Sequence, residues 1–512
     1  MSTEVDMKDV ELNEVEQEKQ PMTAGDAGNG DASSPTSTEK NGVVKVKMAD
    51  ETETKFTGLS KDELLKVAGT PGWVRTRWAL LILFWLGWLG MLAGAIGIII
   101  QAPRCKPLPE MNWWNEGPLY EIGDVQAFSE NLEGLKQKID ALAQLKVKGL
   151  VVGPIHKDPS NNENELDLNT VSVAGSLTQF KALLDAAHKK GINVVLDLTP
   201  NYLGQQAWFD NMMTVADKVK VALVHWQMQG VDGFKFSGFE RVVEVASPVW
   251  EELRGIIKAP QNGTKEKGLL MGVTDKTSPE QVGRLLNSSG VDLLLSGILR
   301  ASGQSGMQVA SAAQQLLGLQ NQTKLAWNVG DREQGHLASL VGADLVKFNQ
   351  MLLLTMPGTP VFNYGDEIGL EDEGATKFPQ MIWYKPEDAE TLNGTAKDEM
   401  ERRLALRSFF KSLSDLRSKE RSLLYGDFVP LHSSNSSLAY LRSWDQSPRY
   451  LAAFNWGSDA VTLRLEDAQL PEQATVEVST DPEKLQPKSQ VDLKALELGA
   501  GQAVLLQFPY TG

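Results

Sequence analysis

The strongest constraint in the sequence is an apolar stretch, Trp78–Ile100, that contains no charged side chain over 23 residues. A helix that rises about 1.5 Å per residue would carry this stretch across a hydrocarbon core of about 30 Å. Helices of a soluble core rarely lack charge over such a length, and a cleaved signal peptide is shorter and lies nearer the N-terminus. The sequence therefore predicts a signal-anchor helix over residues 78–100 that crosses a membrane once.

Two features of the flanking sequence favour one orientation of this helix. Basic residues close to the helix are more numerous before it than after it: Lys61, Lys66, Arg75 and Arg77 against Arg104 and Lys106. All five glycosylation motifs follow the helix: Asn262, Asn287, Asn321, Asn393 and Asn435. The positive-inside rule and the need for an extracytosolic acceptor together predict a single-pass type II protein of the plasma membrane, with a cytosolic N-terminus and an extracellular C-terminus.

The segment before the helix is predicted to be a cytosolic tail, residues 1–77. Its first 60 residues hold 13 acidic and six basic side chains and almost no aromatic ones, a composition typical of disorder. Ser60 and Glu63 then form a capping-box pattern, and Gly69 and Pro71 form a stop signal. We expect a short juxtamembrane helix at the inner leaflet, although a solvated turn without function fits the same residues.

Four glycines recur inside the apolar stretch at steps of three, four and three residues: Gly87, Gly90, Gly94 and Gly97. These steps place all four on one face of a helix, where a second helix could approach closely. Glycine is also common in membrane helices without a packing role. The pattern therefore indicates a candidate helix-packing face.

Cys105 is the only cysteine in the chain, which excludes an internal disulfide and a thiolate zinc cluster. The five histidines are scattered, so we predict no metal site. Cys105 could stay free, be acylated or pair with another chain. It lies in a predicted extracellular neck, residues 101–117, where the compartment is oxidising and palmitoylation is not expected. These considerations favour an interchain disulfide.

Beyond the neck, short apolar runs alternate with segments of helical periodicity. The eight candidate strands are 118–123, 149–155, 193–198, 233–236, 269–274, 293–297, 324–329 and 360–365. The candidate helices between them include Phe128–Leu145, Leu177–Lys190, Trp208–Met228 and His336–Thr355. This alternation predicts an α/β fold, a (β/α)8 TIM barrel over residues 118–420, and the short alternating runs of residues 421–512 predict an antiparallel β domain.

Three segments carry a family resemblance. GINVVLDLTPNY at 191–202, GVDGFKFSGFE at 230–240 and TMPGTPVFNYGDEIGL at 355–370 resemble the signature segments of the α-amylase glycoside hydrolases. Their order and spacing and the trailing β domain also match, over residues 112–512. The resemblance implies the amylase barrel and its C-terminal β domain.

The residues that the resemblance assigns to catalysis are replaced. The family has a nucleophilic aspartate at the end of the fourth strand and an acidic glutamate at the end of the fifth, where this chain has Ser237 and Val273. Lys235 stands in place of an arginine and Tyr202 in place of a histidine. Glycoside hydrolysis of this kind needs both carboxyl groups. We therefore predict no catalytic residue, no cofactor and no enzymatic activity.

Other carboxylates in the matching segments do not restore this chemistry. Asp197 matches a family aspartate, and we interpret it as holding a strand end by hydrogen bonds. Asp331 is an ambiguous match to the third family carboxylate. Asp366 and Glu367 match a loop motif that is structural in the family.

The short connection between the third-strand motif and the fourth strand limits which amylase-like proteins the chain resembles. Only about 29 residues separate Asn201 from Gly230, so the small domain that many amylases insert there does not fit. A non-catalytic amylase-like ectodomain on a type II anchor, with one juxtamembrane cysteine, resembles the heavy subunits of heteromeric amino-acid transporters. That resemblance implies a polytopic light chain, linked through Cys105, that carries amino-acid transport while the heavy subunit chaperones it and targets it to the plasma membrane. It also implies support of integrin β subunits in adhesion signalling.

Two alternatives belong to other classes. An active ectoenzyme would need carboxylates at positions 237 and 273. A stand-alone adhesion or carbohydrate-binding receptor with an inactive glycosidase-like ectodomain would not need Cys105. A nucleic-acid partner is excluded by the net charge of −16.

The positions of the glycosylation motifs also predict which face of the barrel points away from the light chain. Asn262, Asn287 and Asn321 are expected in loops that lead into strands five, six and seven, which share the N-terminal face of a barrel. If they carry glycans, the light chain meets another surface.

Overall fold

The computed structural model describes residues 58–101, 105–259, 268–302, 305–384 and 388–510. The predicted disorder of the N-terminal tail and the Asn262 motif lie outside these ranges. The chain divides into two compact units, Met1–Ala102 and Pro103–Gly512.

The first unit contains two helices, α1 (Lys61–Ala68) and α2 (Pro71–Gln101). The predicted capping box begins α1: the side chain of Ser60 accepts from the backbone N–H of Glu63, and the Glu63 carboxylate accepts from the backbone N–H of Ser60. In the part of the chain that the structure describes, α2 is the one helix long and apolar enough to cross a membrane, with a mean hydropathy of 2.2. It begins before the uncharged stretch and so includes two arginines, Arg75 and Arg77.

All eight predicted barrel strands are present. They are β1 (Leu119–Ile122), β2 (Gly149–Val152), β3 (Asn193–Asp197), β4 (Gly233–Ser237), β5 (Leu269–Val273), β6 (Leu293–Leu295), β7 (Ala326–Trp327) and β8 (Thr359–Asn363). Their pairing is parallel throughout, in the order β6-β5-β4-β3-β2-β1-β8-β7. A parallel bridge between Leu294 and Leu325 joins the two ends of this order and closes the sheet. The predicted TIM barrel is therefore confirmed.

The helices of the second unit lie around this barrel and after it. They are α3 (Val125–Ser129), α4 (Leu132–Gln144), α5 (Leu177–Lys189), α6 (Met212–Met228), α7 (Glu240–Val245), α8 (Ser247–Lys258), α9 (Pro279–Ser289), α10 (Ile298–Ser302), α11 (Gly306–Leu319), α12 (Leu337–Val341), α13 (Val346–Thr355), α14 (Asp388–Thr391), α15 (Thr395–Lys419) and α16 (Arg421–Leu424).

Two of the predicted helices are each broken in two, so their prediction as single helices is wrong. The segment 128–145 divides between α3 and α4 because Glu130 adopts a φ of 66° and the side chain of Asn131 caps a new helix by accepting from Gly134 N–H. The segment 336–355 divides between α12 and α13 because Gly342 adopts a φ of 87°. Hydrophobic periodicity continues across both breaks, which explains why the pattern alone did not detect them.

The chain after α16 forms the predicted antiparallel domain. Its strands are β9 (Asp427–Ser433), β10 (Ser437–Ser443), β11 (Arg449–Asn455), β12 (Val461–Leu463), β13 (Gln473–Ser479), β14 (Gln490–Asp492), β15 (Leu496–Leu498) and β16 (Ala503–Phe508). Six of them form one sheet in the order β14-β13-β16-β11-β10-β9, and β12 pairs with β15. One face of this sheet packs on the barrel helices, where Phe348 of α13 contacts Phe454 and Trp456.

Candidate functional site

Ser237 and Val273 lie side by side at the carboxyl ends of neighbouring strands. They are the last residues of β4 and β5 and are paired in the register of these strands. Ser237 is buried: its backbone N–H donates to Thr199 Oγ1 at 2.9 Å, and its carbonyl oxygen accepts from the indole of Trp208 at 3.0 Å. A hydroxyl and an isopropyl group thus occupy the strand ends where the sequence analysis placed the two family carboxylates.

Lys235 is held between two carboxylates in the interior of the barrel. Its ammonium group bonds to Glu121 and, at 3.0 Å, to Asp197 Oδ2, and all three side chains are at most 3% exposed. Burial alone would lower the pKa of Lys235, but the two carboxylates raise it above its usual value. Lys235 therefore remains charged and is neutralised within the barrel.

The pKa values of the two carboxyl groups are shifted in opposite directions. Burial opposes ionisation of Asp197, yet Lys235 and Arg332 hold its pKa below the usual range. For Glu121, burial dominates and raises the pKa, with Lys235 acting against it. Asp197 also accepts from the backbone N–H of Thr199 at 3.0 Å. The predicted strand-end hydrogen bond of Asp197 is therefore present, but its ion pair was missed.

A sequence signal for this ion cluster existed. Glu121 and Lys235 each interrupt an otherwise apolar strand, LYEI and GFKF. Charges of opposite sign in two buried strands can be tolerated only if they pair. Sequence reasoning considered Lys235 as a family substitution and did not consider Glu121.

Asp331 is engaged through both of its carboxylate oxygens. One oxygen accepts from the backbone N–H groups of Glu333 and Gln334, each at 2.9 Å. The other accepts from Arg300 and from Asn328, each at 3.2 Å. These contacts hold the turn that follows β7, so Asp331 has a structural role in this arrangement.

Arg332 and Tyr202 cover the centre of this end of the barrel. The guanidinium lies 4.9 Å from the centre of the Tyr202 ring, and it donates to the carbonyl oxygens of Gly123 at 3.2 Å and Tyr202 at 3.4 Å. The ring of His156 packs edge-on against Tyr202 at 5.1 Å. Burial raises the pKa of Tyr202 and lowers that of His156. Tyr202, which the resemblance places at the position of the family histidine, thus packs against Arg332 and His156.

Asp366 and Glu367 are both buried in the loop after β8. Asp366 accepts from the backbone N–H of Leu337 at 2.8 Å and of Asn363 at 2.9 Å. Glu367 accepts from the Tyr120 hydroxyl at 3.0 Å. Burial raises the pKa of both carboxyls. Their contacts agree with the structural role expected from the loop motif.

A cleft of about 300 Å³ lies beside Ser237 and Val273 at their strand ends, and its charged lining comes from Glu240, Asp275, Lys276 and Glu333. Lys276 pairs with Glu240 at 3.5 Å. No group of three potential metal ligands is found among the described residues. The cleft is thus lined by carboxylates and one lysine beside the hydroxyl of Ser237 and the isopropyl group of Val273.

Cys105 is exposed, and the residue after it contacts the β domain. The backbone N–H of Lys106 donates to Asp445 at 3.2 Å, and its ammonium lies 4.0 Å from Asp427 and 5.6 Å from the centre of the Trp444 ring. The cysteine is therefore positioned beside the start of β9 and the turn between β10 and β11.

The described sequons and the glycine face are accessible. Asn287, Asn321, Asn393 and Asn435 are all exposed. Asn321 lies in the predicted loop before β7, but Asn287 lies in the last turn of α9, so its expected loop position is wrong. A Cβ added at Gly87, Gly90, Gly94 or Gly97 would meet nothing within 4 Å.

Comparison with known proteins identifies first the class and then the family. The region of residues 120–251 matches the α-amylase catalytic domain family, and residues 44–120 match the family described as solute carrier family 3 member 2 N-terminus. The structure aligns with the α-amylase of Geobacillus thermoleovorans in complex with acarbose, with a TM-score of 0.61 and 17% identity, covering 79% of this chain and all of that one. The second unit thus has the fold of the α-amylases, joined here to a helix that could span a membrane.

The full chain is much more similar to a transporter subunit. It is 45% identical to the amino acid transporter heavy chain SLC3A2 of Oryctolagus cuniculus and of Mus musculus, over 99% of both partners in each comparison. The amino acid transporter heavy chain SLC3A1 of Rattus norvegicus is 22% identical over 92% of this chain and 89% of that protein. The chain belongs to the family of SLC3A2 amino acid transporter heavy chains, known as the 4F2 heavy chain. It is a single-pass membrane protein of this family.

Proposed function

We propose that this chain is the non-catalytic heavy subunit of a heteromeric amino-acid transporter, which stabilises a polytopic light chain and targets it to the plasma membrane. The observation that carries the proposal is the 45% identity to SLC3A2 heavy chains over 99% of the chain. Among the described residues one helix is a candidate to span a membrane, and its uncharged stretch 78–100 offers no polar route for an amino acid. Transport therefore belongs to the partner.

The residues at the strand ends support the absence of hydrolysis. Ser237 and Val273 have no carboxyl group, and Asp197 is neutralised by Lys235. These positions therefore do not supply the acid and the nucleophile that flank the glycosidic bond in such hydrolysis. An assay of the purified chain with α-glucosides should detect no hydrolysis, and turnover that is abolished by Asp197→Asn would contradict this proposal.

Cys105 is the proposed attachment point of the light chain. It is exposed, and the contacts of Lys106 with Asp427 and Asp445 support its position beside the β domain. Through the resemblance, this cysteine corresponds to the one that forms the interchain disulfide of heavy subunits. The glycine face of α2, which is open along its length, supports additional packing against a partner helix.

The proposed topology has residues 1–77 in the cytosol, 78–100 in the membrane, a neck over 101–117, the barrel over 118–420 and the β domain over 421–512. The exposed sequons at Asn287 and Asn321 lie near the starts of β6 and β7, on the N-terminal face of the barrel. If they carry glycans, that face is free of the light chain. A glycan on Asn321 would test this topology most directly. The side chain of the neighbouring Gln322 donates to the carbonyl oxygen of Tyr425, two residues before Asp427, and Asp427 lies beside Lys106 and the proposed attachment point Cys105.

The central experiment is a non-reducing gel of the protein from cells, with mass spectrometry of any attached chain. We expect a heavier band that contains a polytopic transporter and is lost on reduction. Cys105→Ser should abolish the band while leaving weakened non-covalent association in mild detergent. Lys106→Ala, which retains the thiol but removes its ammonium contacts, is the matched control and should retain the band.

A stand-alone adhesion or carbohydrate-binding receptor is the alternative, and it would run as a monomer on the same gel. Support of integrin β subunits is a further proposed role, consistent with the family resemblance. It would be tested by co-immunoprecipitation of integrin β subunits with the full chain and with a chain that lacks residues 1–57.

A further inference from the structure

The glycosylation motif at Asn393 differs from the other described motifs, because a glycine follows its asparagine. Asn393 and Gly394 lie in the connection between α14 and α15, and both are exposed. Gly394 adopts a φ of 58°, a backbone conformation that favours glycine, and a Cβ added there would meet no atom of the described residues within 4 Å. A glycine also follows Asn262, which lies outside the described residues. The turn before α15 thus presents an open Asn–Gly pair.

The two groups of this pair that could react with each other are not held by hydrogen bonds. The carbonyl oxygen of Gly394 accepts from the backbone N–H groups of Lys397 and Asp398, at 3.0 and 3.1 Å, which fixes the glycine at the start of α15. In the part of the chain that the structure describes, neither the Gly394 N–H nor the side-chain amide of Asn393 has a hydrogen-bond partner. The amide carbon and the backbone nitrogen that follows it are therefore free to approach each other.

The asparagines of the other described motifs are more constrained. Asn287 lies within α9, and its side-chain oxygen accepts from Gln320 at 2.8 Å. The side-chain oxygen of Asn321 accepts from the backbone N–H two residues further on, at 3.0 Å. Asn435 precedes Ser436, whose side chain crowds the backbone nitrogen beside it. These differences single out Asn393 for a reaction between a side-chain amide and the next backbone nitrogen.

We propose that Asn393 is a site of spontaneous deamidation, which a glycan on the same side chain blocks. The backbone nitrogen of Gly394 attacks the side-chain carbonyl carbon of Asn393, and the new C–N bond closes a five-membered succinimide ring. The C–N bond of the side-chain amide breaks, and its nitrogen leaves as ammonia with the proton of the backbone nitrogen. Water then opens the ring to isoaspartate or aspartate. A side chain at position 394 would hinder the attack, whereas glycine does not.

Glycosylation and deamidation compete for the same side-chain nitrogen. A glycan attached to this nitrogen makes it part of a bulky leaving group and covers the turn, so glycosylated protein should keep the Asn393 amide bond. Deamidation removes the nitrogen, and with it the acceptor for the glycan, and adds one negative charge at the start of α15. A copy that escapes glycosylation therefore loses the acceptor irreversibly. This inference does not depend on the proposed transporter role.

The test uses the full chain in detergent with Thr395→Ala, which removes the glycosylation motif and keeps the Asn393–Gly394 pair. Peptide mapping by mass spectrometry, with chromatographic separation of isoaspartate, would follow position 393 during incubation at physiological temperature and pH. We expect isoaspartate to accumulate there. Adding Gly394→Ala, which introduces one methyl group into open space, should slow its formation about tenfold. If this variant does not fold, Asn393→Gln in the same background is the control and should show no conversion, because its ring would need six members.

The protection by a glycan is measured on the parent chain. After the same incubation, enzymatic release of the glycan in oxygen-18 water labels each asparagine that was still glycosylated, whereas earlier deamidation leaves no label. We expect the labelled fraction at Asn393 to stay constant with time. Absence of isoaspartate at position 393 in Thr395→Ala, an equal rate after Gly394→Ala, or loss of the labelled fraction at the rate of Thr395→Ala would overturn the proposal.

Discussion

Single residues explain how an amylase-like barrel can keep its shape while its strand ends carry different chemistry. Lys235, Glu121 and Asp197 form a buried cluster in which one positive charge faces two carboxylates. Each charge is tolerated in the interior only because the others are present. The cluster therefore contributes to the architecture of the barrel.

Removing the lysine should be strongly destabilising. Lys235→Met removes the ammonium group that bonds to both buried carboxylates, and we expect a loss of about 3–5 kcal/mol in the free energy of unfolding. Urea titration of the full chain in detergent, followed by tryptophan fluorescence, would measure it. The control is the triple variant with Glu121→Gln and Asp197→Asn added, which should recover much of the loss. A single variant as stable as the parent chain would contradict the role of the cluster.

A second residue pair predicts a pH dependence. His188 Nε2 lies 2.7 Å from Asp232 Oδ2, and this hydrogen bond raises the pKa of His188 above its usual value. Because the folded pKa exceeds the unfolded value of about 6.5, the stabilisation is fully present below that pH and is lost as the pH rises through the folded pKa.

The free energy of unfolding of the parent chain should therefore exceed that of the His188→Gln variant, and this difference should be larger at pH 6 than at pH 9. Asp232→Asn should remove the same pH dependence, since the imidazolium then has no carboxylate partner. A stability difference between the parent chain and His188→Gln that does not change between these pH values would argue against the pair.

At the scale of elements, the C-terminus of α13 is held by two fully buried arginines. Arg417 of α15 donates to the carbonyl oxygens of Leu354 at 2.6 Å and Met356 at 2.9 Å, and also to Gly358. Arg442 of β10 donates to the Thr355 carbonyl at 2.5 Å. The negative end of the helix dipole favours cations here. Burial lowers the pKa of Arg417 to about 9 and that of Arg442 to about 10.

These contacts join α13, α15 and the β domain, so losing them should destabilise all three. Arg417→Met leaves the end of α13 without its donors, and we expect a loss of about 2–4 kcal/mol. Arg421→Met, on the exposed start of α16, is the matched control and should stay within about 0.5 kcal/mol of the parent chain. Thermal unfolding of the full chain would compare them, and similar shifts in both variants would refute the capping role.

At the scale of the molecule, one hydrophobic cluster extends from the barrel helices into the β domain. This cluster includes Tyr440, Phe454 and Leu505 from the β sheet, whereas the other face of that sheet has a cluster of its own. A domain boundary drawn near residue 420 therefore cuts through the shared cluster. Residues 103–512 should consequently unfold as a single cooperative unit.

Phe454→Ala tests this expectation. Removing a fully buried ring should cost about 3–5 kcal/mol. In differential scanning calorimetry of the full chain, the whole ectodomain transition should move to lower temperature as one peak. Val461→Ala, on the short β12 outside this cluster, should shift it much less. Two separated transitions would show that the barrel and the β domain unfold independently.

The sequence by itself determined the features that depend on neighbouring residues. Composition and length identified the apolar helix, short apolar runs between helical segments located all eight barrel strands, and the capping box located the start of α1. These signals act over a few residues, and they are readable without knowledge of the fold. The breaks at Glu130 and Gly342 escaped because a single backbone conformation interrupts an otherwise continuous pattern.

Only the tertiary structure decided which distant residues meet. Glu121 and Lys235 are 114 positions apart, Arg417 reaches carbonyls about 60 positions away, and Lys106 meets Asp445 across 339 positions. Strand register and helix packing create these contacts, and no local pattern encodes which partner a buried charge will find. The sequence thus located Ser237 and Val273 at the ends of their strands, whereas the fold decided that Lys235 pairs with Glu121 and Asp197 inside the barrel.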